Sequence, residues 1–258
     1  MNRLKRVWLL ATTYWIVLAA LCCLVYPITV FDSISRYAPM AEAFARGDWW
    51  MAYHPRFGVL FTTLAGVVAS VTGLNGDCAC QVVSVGFLAF SAVPVWALVR
   101  RVFGDERVAS VAAVLVLIAT EYFMLAEDGL RDTVRIFGLA ACVLSFFSGR
   151  SWTLALGLFC LVTVRTDLLL ISGAILAAWW ASVLFSRRMR RSSAEVFQQP
   201  AANSQRAAEP KALALALPTA CWTLGVALMC FMTHAYTGCW TPGAQFVGFY
   251  LKLTGGAQ

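Results

Sequence analysis

Long apolar runs, separated by short charged or aromatic stretches, alternate along most of the chain. Their lengths and patterns predict helices at about 7–30, 78–99, 108–125, 132–148, 152–164, 167–185 and 213–233. Several of these runs approach the roughly 20 residues that a helix needs to cross the hydrocarbon core of a bilayer. The predicted fold class is therefore an all-α, polytopic transmembrane helical bundle with about seven spanning helices.

The stretch that follows the first apolar run is polar and aromatic, and it predicts shorter helices at a membrane surface. Residues 33–46 are predicted to be helical, with Ser33 as the N-cap. Trp49, Trp50 and Tyr53 come next, and amphipathic rings of this kind settle in the headgroup zone. We therefore expect interfacial helices in the first loop.

Segment 54–74 is apolar enough either to cross the membrane or to lie along its surface, and the basic residues discriminate between these alternatives. If the segment does not cross, thirteen of the twenty Lys and Arg residues lie on the side of the N-terminus and seven on the other side. If it crosses, the ratio reverses. Because basic residues prefer the cytoplasmic side, we predict an interfacial or re-entrant segment, a cytoplasmic N-terminus and an extracytoplasmic C-terminal tail. The outer basic residues are then Arg36, Arg46, Arg56, Arg131, Arg135, Arg165 and Lys252.

The composition is typical of a membrane protein. Apolar residues make up 60% of the chain and charged residues 13%, and the mean hydropathy is +0.74, far from the values of soluble domains. The net charge of +7 does not indicate a nucleic-acid partner, because the basic residues cluster at the ends of apolar runs. We predict a multi-pass protein of a bacterial inner membrane that contacts membrane lipids and binds no nucleic acid.

A polar stretch with a run of arginines extends from Ser186 to Lys211 and divides the chain. The predicted parts are a transmembrane core at 1–185, a basic cytoplasmic linker at 186–212, and a last helix with an extracytoplasmic tail at 213–258. The pattern shows neither an internal repeat of the transporter kind nor a pair of broken helices.

Three of the nine cysteines, Cys78, Cys80 and Cys239, fall in predicted loops or at the ends of apolar runs. A disulfide from Cys239 to either of the other two is an open alternative. A Cys-x-Cys pair without a second Cys or His pair does not predict a metal site.

The predicted topology brings ionisable residues from three loops to the outer side. Asp32 follows the first run, Asp132 ends the loop between the third and fourth helices, and Arg165 lies between the fifth and sixth. A planar guanidinium binds phosphate oxygens, and a carboxylate can take a proton from a hydroxyl. Together these groups suit a site for a phosphate-bearing lipid and a hydroxyl acceptor.

Simpler roles compete at each of these positions. Asp32 also suits a helix N-cap, and Asp132 suits a cap or an ion pair with Arg131 or Arg135. Arg165 could extend its charged end to the interface, as long basic side chains do at helix ends. His54 could simply be a side chain at the membrane interface, without a catalytic role.

From about Leu9 to Trp180, the chain resembles the GT-C class of membrane glycosyltransferases, which includes protein O-mannosyltransferases and the lipid A aminoarabinose transferase. The resemblance is carried by an acidic residue just after the first span, Asp32, and by several short motifs in order. These are Arg36-Tyr-Ala-Pro-Met-Ala-Glu-Ala-Phe-Ala-Arg-Gly47, His54-Pro55, Val95-Trp-Ala-Leu-Val-Arg-Arg-Val-Phe-Gly104, Gly129-Leu-Arg-Asp-Thr133 and Val164-Arg-Thr-Asp-Leu168.

The resemblance implies a sugar donor carried on a polyprenyl phosphate and attacked outside the cytoplasm with inversion. The acceptor would be a lipid, glycan or protein hydroxyl. Asp32 would be the general base, and Asp132 would position the acceptor or support a divalent cation, which is the one cofactor the resemblance leaves open. Arg165 and His54 would neutralise the departing lipid phosphate, and Tyr37 and Arg36 would contribute to substrate binding.

The chain departs from the family pattern at several points. Ser33 stands where a second acidic residue is frequent, and Arg56 replaces the second proline of a His-Pro-Pro stretch. Family members usually have further spans, so a minimal core, a fragment and one half of a two-chain enzyme with a partner membrane subunit are alternatives. A non-catalytic scaffold is the main competing function. A transporter is the third, although the ionisable groups lie at helix ends rather than at mid-span.

Overall fold

The computed structural model describes residues 3–25, 31–54, 57–165, 168–194, 211–238 and 240, and every regular element among them is helical. In chain order the helices are α1 (Arg3–Val25), a π-helical turn (Ser33–Tyr37), α2 (Ala38–Ala45), α3 (Trp49–Ala52), α4 (Leu60–Thr72), α5 (Gly76–Phe103), α6 (Glu106–Ile118), α7 (Thr120–Glu127), α8 (Asp132–Ser148), α9 (Ser151–Val164), α10 (Leu168–Ala194) and α11 (Lys211–Thr237). The prediction of an all-α fold is confirmed.

Three helices are long and apolar enough to cross a membrane. They contain Leu4–Val25, Gly76–Phe103 and Ala212–Ala235, and a fourth crossing results if α6 and α7 form one bent span. These helices indicate a membrane protein. The count of about seven crossings is not confirmed, because α8 has 17 residues and α9 and the apolar part of α10 are also short.

The predicted helix at 108–125 is interrupted, which the hydrophobic pattern did not predict. Ala119 leaves the helical region with ψ 114°, and α6 and α7 meet at 47°. Neither proline nor glycine occurs at this break, so the sequence carries none of the usual signals for it. Among the described residues it is the one helix pair of this kind, whereas transporter sites typically use two discontinuous helices.

Helix α5 lies at the centre of the bundle and packs against α1, α6 and α8, while α9 packs against α8 and α11. Small residues permit these close approaches, as is usual between membrane helices. A Cβ atom added to Gly157 of α9 would lie 2.7 Å from the carbonyl oxygen of Gly138 in α8. At the α1–α5 contact, the Trp15 indole donates a 2.9 Å hydrogen bond to the carbonyl of Val82.

Buried polar groups attach the turn between α7 and α8 to α5. The Ser84 hydroxyl contacts the carbonyl oxygen of Leu130 at 2.7 Å and the Thr133 hydroxyl at 3.0 Å. The Gln81 amide donates to the carbonyl of Glu127 at 2.9 Å. Burying a polar group in protein costs free energy unless the group is hydrogen-bonded. These bonds therefore fix the position of the start of α8 along α5.

The entry into α4 is attached to the end of α9. The backbone N–H of Val59 donates to the carbonyl of Thr163 at 2.8 Å. Gly58 has φ +77°, and an added Cβ atom there would lie 2.3 Å from the carbonyl oxygen of Val164. Only glycine allows this approach of the chain to the end of α9. Helix α4 itself has 13 residues and is about 20 Å long at 1.5 Å per residue.

Candidate functional site

Asp32 lies in a helix rather than at the start of one. Phe31 and Asp32 are already helical before the π-helical turn begins, and Asp32 makes no side-chain capping bond. Its Oδ1 instead accepts a 2.6 Å hydrogen bond from Nη1 of Arg36, and both side chains are partly exposed. Spacing by four residues makes this pair local. The carboxylate is thus paired with an arginine and partly accessible.

The prediction that Ser33 is an N-cap is wrong. Ser33 is fully buried inside the helix, and its hydroxyl donates a hydrogen bond to the backbone carbonyl of Asp128 at the end of α7. A buried hydroxyl requires a partner, and the neighbouring segment supplies one. This bond joins the first loop, which comprises residues 26–75, to the α7–α8 turn.

Two aromatic rings and two arginines form the centre of the site. The Tyr37 ring contacts Phe57 edge-on, with 5.7 Å between centroids. The Arg36 guanidinium carbon lies 5.0 Å from the Phe57 centroid. The Arg131 guanidinium carbon lies 5.5 Å from the same centroid and 5.6 Å from that of Tyr37. We call these four residues the aromatic–arginine cluster. Contacts of this kind attract a cation to the ring face.

Arg131 is the functional candidate that sequence reasoning missed, since it was considered only as a partner for Asp132. It is 8% exposed, and its Nη1 donates to the carbonyl of Val164 at 3.4 Å. A buried guanidinium is unusual unless it is paired or has a task. Its position in Gly129-Leu-Arg-Asp-Thr133 was the available signal, but its burial follows from tertiary packing.

Asp132 opens α8 and joins two cations. Its Oδ1 lies 3.3 Å from Nη2 of Arg135 and 4.0 Å from Nη1 of Arg165. The first pair is local along the helix, and the second joins α8 to the end of α9. Of the simpler roles considered for Asp132, the ion pair with Arg135 is the one that the structure contains.

Charged groups from several segments affect the pKa of the Tyr37 hydroxyl. Burial, the largest cause, raises its pKa above the usual 10.0. The Arg131 charge lowers the pKa, Asp32 and Asp132 raise it, and Arg165 lowers it. The contacts show how these groups are brought together. Asp132 lies 4.0 Å from Arg165. Arg36, the partner of Asp32, and Arg131, the neighbour of Asp132, both lie over the Phe57 ring.

A groove of about 400 Å³ opens beside the cluster. Arg36, His54 and Phe57 line one part of it, and Arg46 and Tyr53 line another. His54 stacks at a tilt on Phe57, with 5.0 Å between ring centroids. The groove combines two arginines, the Asp48 carboxylate, and aromatic and apolar surface, which suits a ligand with a polar head and an apolar body.

Some predicted features are not described by the structure. Pro55, Arg56, Thr166 and Asp167 lie outside the described residues, as do most of the 186–212 linker and Cys239, so the Cys239 disulfide alternative stays a prediction. Within the described ranges, no group of three or more His, Cys, Asp or Glu side chains stands together as metal ligands would.

Fold and site thus define an all-helical membrane protein with a cluster of paired charges at one end of the bundle. Comparison with protein-family models, with curated proteins and with solved structures finds no match to this chain.

Proposed function

We propose that this chain is a GT-C-like membrane glycosyltransferase. It transfers a sugar from a polyprenyl phosphate to a hydroxyl acceptor on the extracytoplasmic face, with inversion at the anomeric carbon. The observation that carries the proposal is the convergence of three separate segments on the aromatic–arginine cluster. Those segments contribute Asp32, Arg131 with Asp132, and Arg165.

The proposed topology has about seven crossings and a cytoplasmic N-terminus. In it, α4 stays at the outer interface, because only this topology leaves thirteen of the twenty Lys and Arg residues on the cytoplasmic side. Helices α9 and α10 cross with the help of their flanks. This arrangement puts residues 32, 132 and 165 in one compartment and places most basic residues on the cytoplasmic side.

In the proposed reaction, Asp32 takes the proton of the acceptor hydroxyl. Arg36 engages Oδ1 of this carboxylate, and we assign Oδ2 to the acceptor. The acceptor oxygen attacks the anomeric carbon from the face opposite the phosphate, so the new C–O bond forms as the old one breaks. The bonding electrons leave with the polyprenyl phosphate, whose negative charge increases.

The departing phosphate needs cations that are already in place. Arg131 is held by two rings and by the Val164 carbonyl, and Arg165 is positioned by Asp132. Preorganised charges of this kind stabilise a developing anion without reorganising during the reaction. His54, on the groove wall, would add a further donor near the lipid headgroup.

The test uses purified protein in lipid nanodiscs with a panel of polyprenyl-phosphate sugars. We expect Asp32→Asn to lower the transfer rate by about 100-fold or more, the usual contribution of a positioned general base. Asp105→Asn is the matched control. The Asp105 side chain caps α6 by accepting a hydrogen bond from the backbone N–H of Arg107. Asparagine caps a helix equally well, so this substitution should leave the transfer rate unchanged. Full activity in Asp32→Asn, or no transfer by wild type with any donor, would refute the catalytic assignment.

A non-catalytic scaffold is the second candidate, and the completeness of the ion pairs favours it. Asp32 and Asp132 both have arginine partners, and networks of this kind can serve structure alone. A scaffold would bind polyprenyl phosphate without turnover, and its affinity would be insensitive to Asp32→Asn. Binding and transfer measured on the same nanodiscs separate the two functions.

A further inference from the structure

The end of α1 and the start of α5 bring two thiols together. Cys23 Sγ lies 3.7 Å from the carbonyl oxygen of Cys78, and Cys78 Sγ lies 3.8 Å from that of Cys23. Such reciprocal contacts put the two side chains next to one another, which is the arrangement that a disulfide requires.

We propose that Cys23 and Cys78 form a disulfide that closes the first loop. The two thiols lose two protons and two electrons as the S–S bond forms. The electrons pass by thiol–disulfide exchange to an extracytoplasmic protein disulfide, which becomes a dithiol. Extracytoplasmic compartments keep such bonds oxidised, so the bond requires this end of the bundle to face outward.

Accessibility selects this pair among the neighbouring cysteines. Cys23 and Cys78 are both partly exposed, so an exchange partner can reach them. Cys22 and Cys80, their neighbours in sequence, are 1% and 0% exposed. Thiol–disulfide exchange requires access to the attacked sulfur, so the buried thiols stay reduced.

The bond would join the two ends of the segment that carries Asp32, Arg36, Tyr37, His54 and Phe57. A link between residues 23 and 78 removes conformations from the unfolded chain and limits how far this loop can move away from α5. Formation of this disulfide does not depend on whether the protein transfers a sugar.

The methionines of the chain allow a direct test. Intact cells are treated with N-ethylmaleimide to block free thiols, and the purified protein is cleaved with cyanogen bromide after Met40, Met51 and Met124. Fragment 2–40 then holds Cys22 and Cys23, and fragment 52–124 holds Cys78 and Cys80. We expect these fragments to migrate together without reductant and separately with it.

Single substitutions assign the bond. Cys23→Ser and Cys78→Ser should each separate the fragments without reductant, whereas Cys22→Ser and Cys80→Ser should leave them joined. Fragments of the wild-type protein that separate without reductant would overturn the inference. So would a link that survives Cys23→Ser or Cys78→Ser, or one that is lost in Cys22→Ser or Cys80→Ser, because each would assign the bond to another pair.

Discussion

The hydroxyl of Ser33 donates to the backbone carbonyl of Asp128 across 95 residues of sequence. Ser33 lies in the same helical turn as Arg36 and Tyr37, and Asp128 immediately precedes the turn that carries Arg131 and Asp132. The bond therefore fixes the position of one half of the candidate site relative to the other.

Replacing Ser33 by alanine should destabilise the protein, because the Asp128 carbonyl would lose its buried partner. We expect a loss of about 1–3 kcal/mol in the free energy of unfolding, the usual cost of an unsatisfied buried group. Ser35→Ala is the control, since the exposed Ser35 hydroxyl bonds only to Phe31 in its own helix. Thermal unfolding in detergent measures both. Equal stabilities of the two variants would contradict the role given to Ser33.

Gly58 and Gly47 form a second matched pair. Both have positive φ, +77° and +78°, but an added Cβ atom at Gly58 meets the Val164 carbonyl at 2.3 Å, whereas Gly47 has nothing within 4 Å. We expect Gly47→Ala to cost about 1 kcal/mol, the strain of a left-handed alanine. Gly58→Ala should cost several times more, since α4 must separate from α9. Unfolding temperatures in detergent, supported by expression yield, provide the comparison. Similar costs would contradict the contact between residues 58 and 164.

Arg131 should matter for transfer more than for folding. Arg131→Met keeps an apolar body of similar length against Tyr37 and Phe57 but removes the charge, and such replacement of a buried charge is often nearly neutral for stability. If Arg131 stabilises the departing phosphate, the transfer rate should fall about 100-fold, as when one preorganised donor is removed. Arg107→Met, at an exposed position in the first turn of α6, should change the rate little. Equal effects of the two substitutions on the rate would remove Arg131 from the proposed mechanism.

Much of the fold could be predicted from hydrophobic runs, because a helix that crosses or lines a bilayer needs a long apolar segment whatever its neighbours are. The pairing of Asp32 with Arg36 follows from their spacing by four residues. Three other features depend on segments distant in sequence and leave no local pattern. They are the burial of Arg131, the bond from Ser33 to Asp128, and the break at Ala119.

The burial of Tyr37 predicts a pH dependence of stability. Burial raises the folded-state pKa of Tyr37 above the usual 10.0, even though the Arg131 charge lowers it, so folding favours the protonated phenol. This contribution is fully present below about pH 10 and is lost as the pH rises through the folded-state pKa. We expect Tyr37→Phe to reduce the loss of stability above pH 10, measured as unfolding temperature against pH. If the unfolding temperature falls as steeply above pH 10 in Tyr37→Phe as in the wild type, the prediction is wrong.

Whether α4 crosses the membrane decides whether the candidate site can work as proposed, and two N-cap residues test it. Asp48 caps α3 before α4, and Asp105 caps α6 after α5. If α5 crosses and α4 does not, residues 48 and 105 lie on opposite sides; if both cross, they lie on the same side. We expect a membrane-impermeant maleimide to label Asp48→Cys in intact cells above the wild-type background, and Asp105→Cys only after permeabilisation. Labelling of both cysteine variants in intact cells would mean that α4 crosses the membrane. Residue 32 would then lie on the opposite side from residues 132 and 165, and the proposed site could not form.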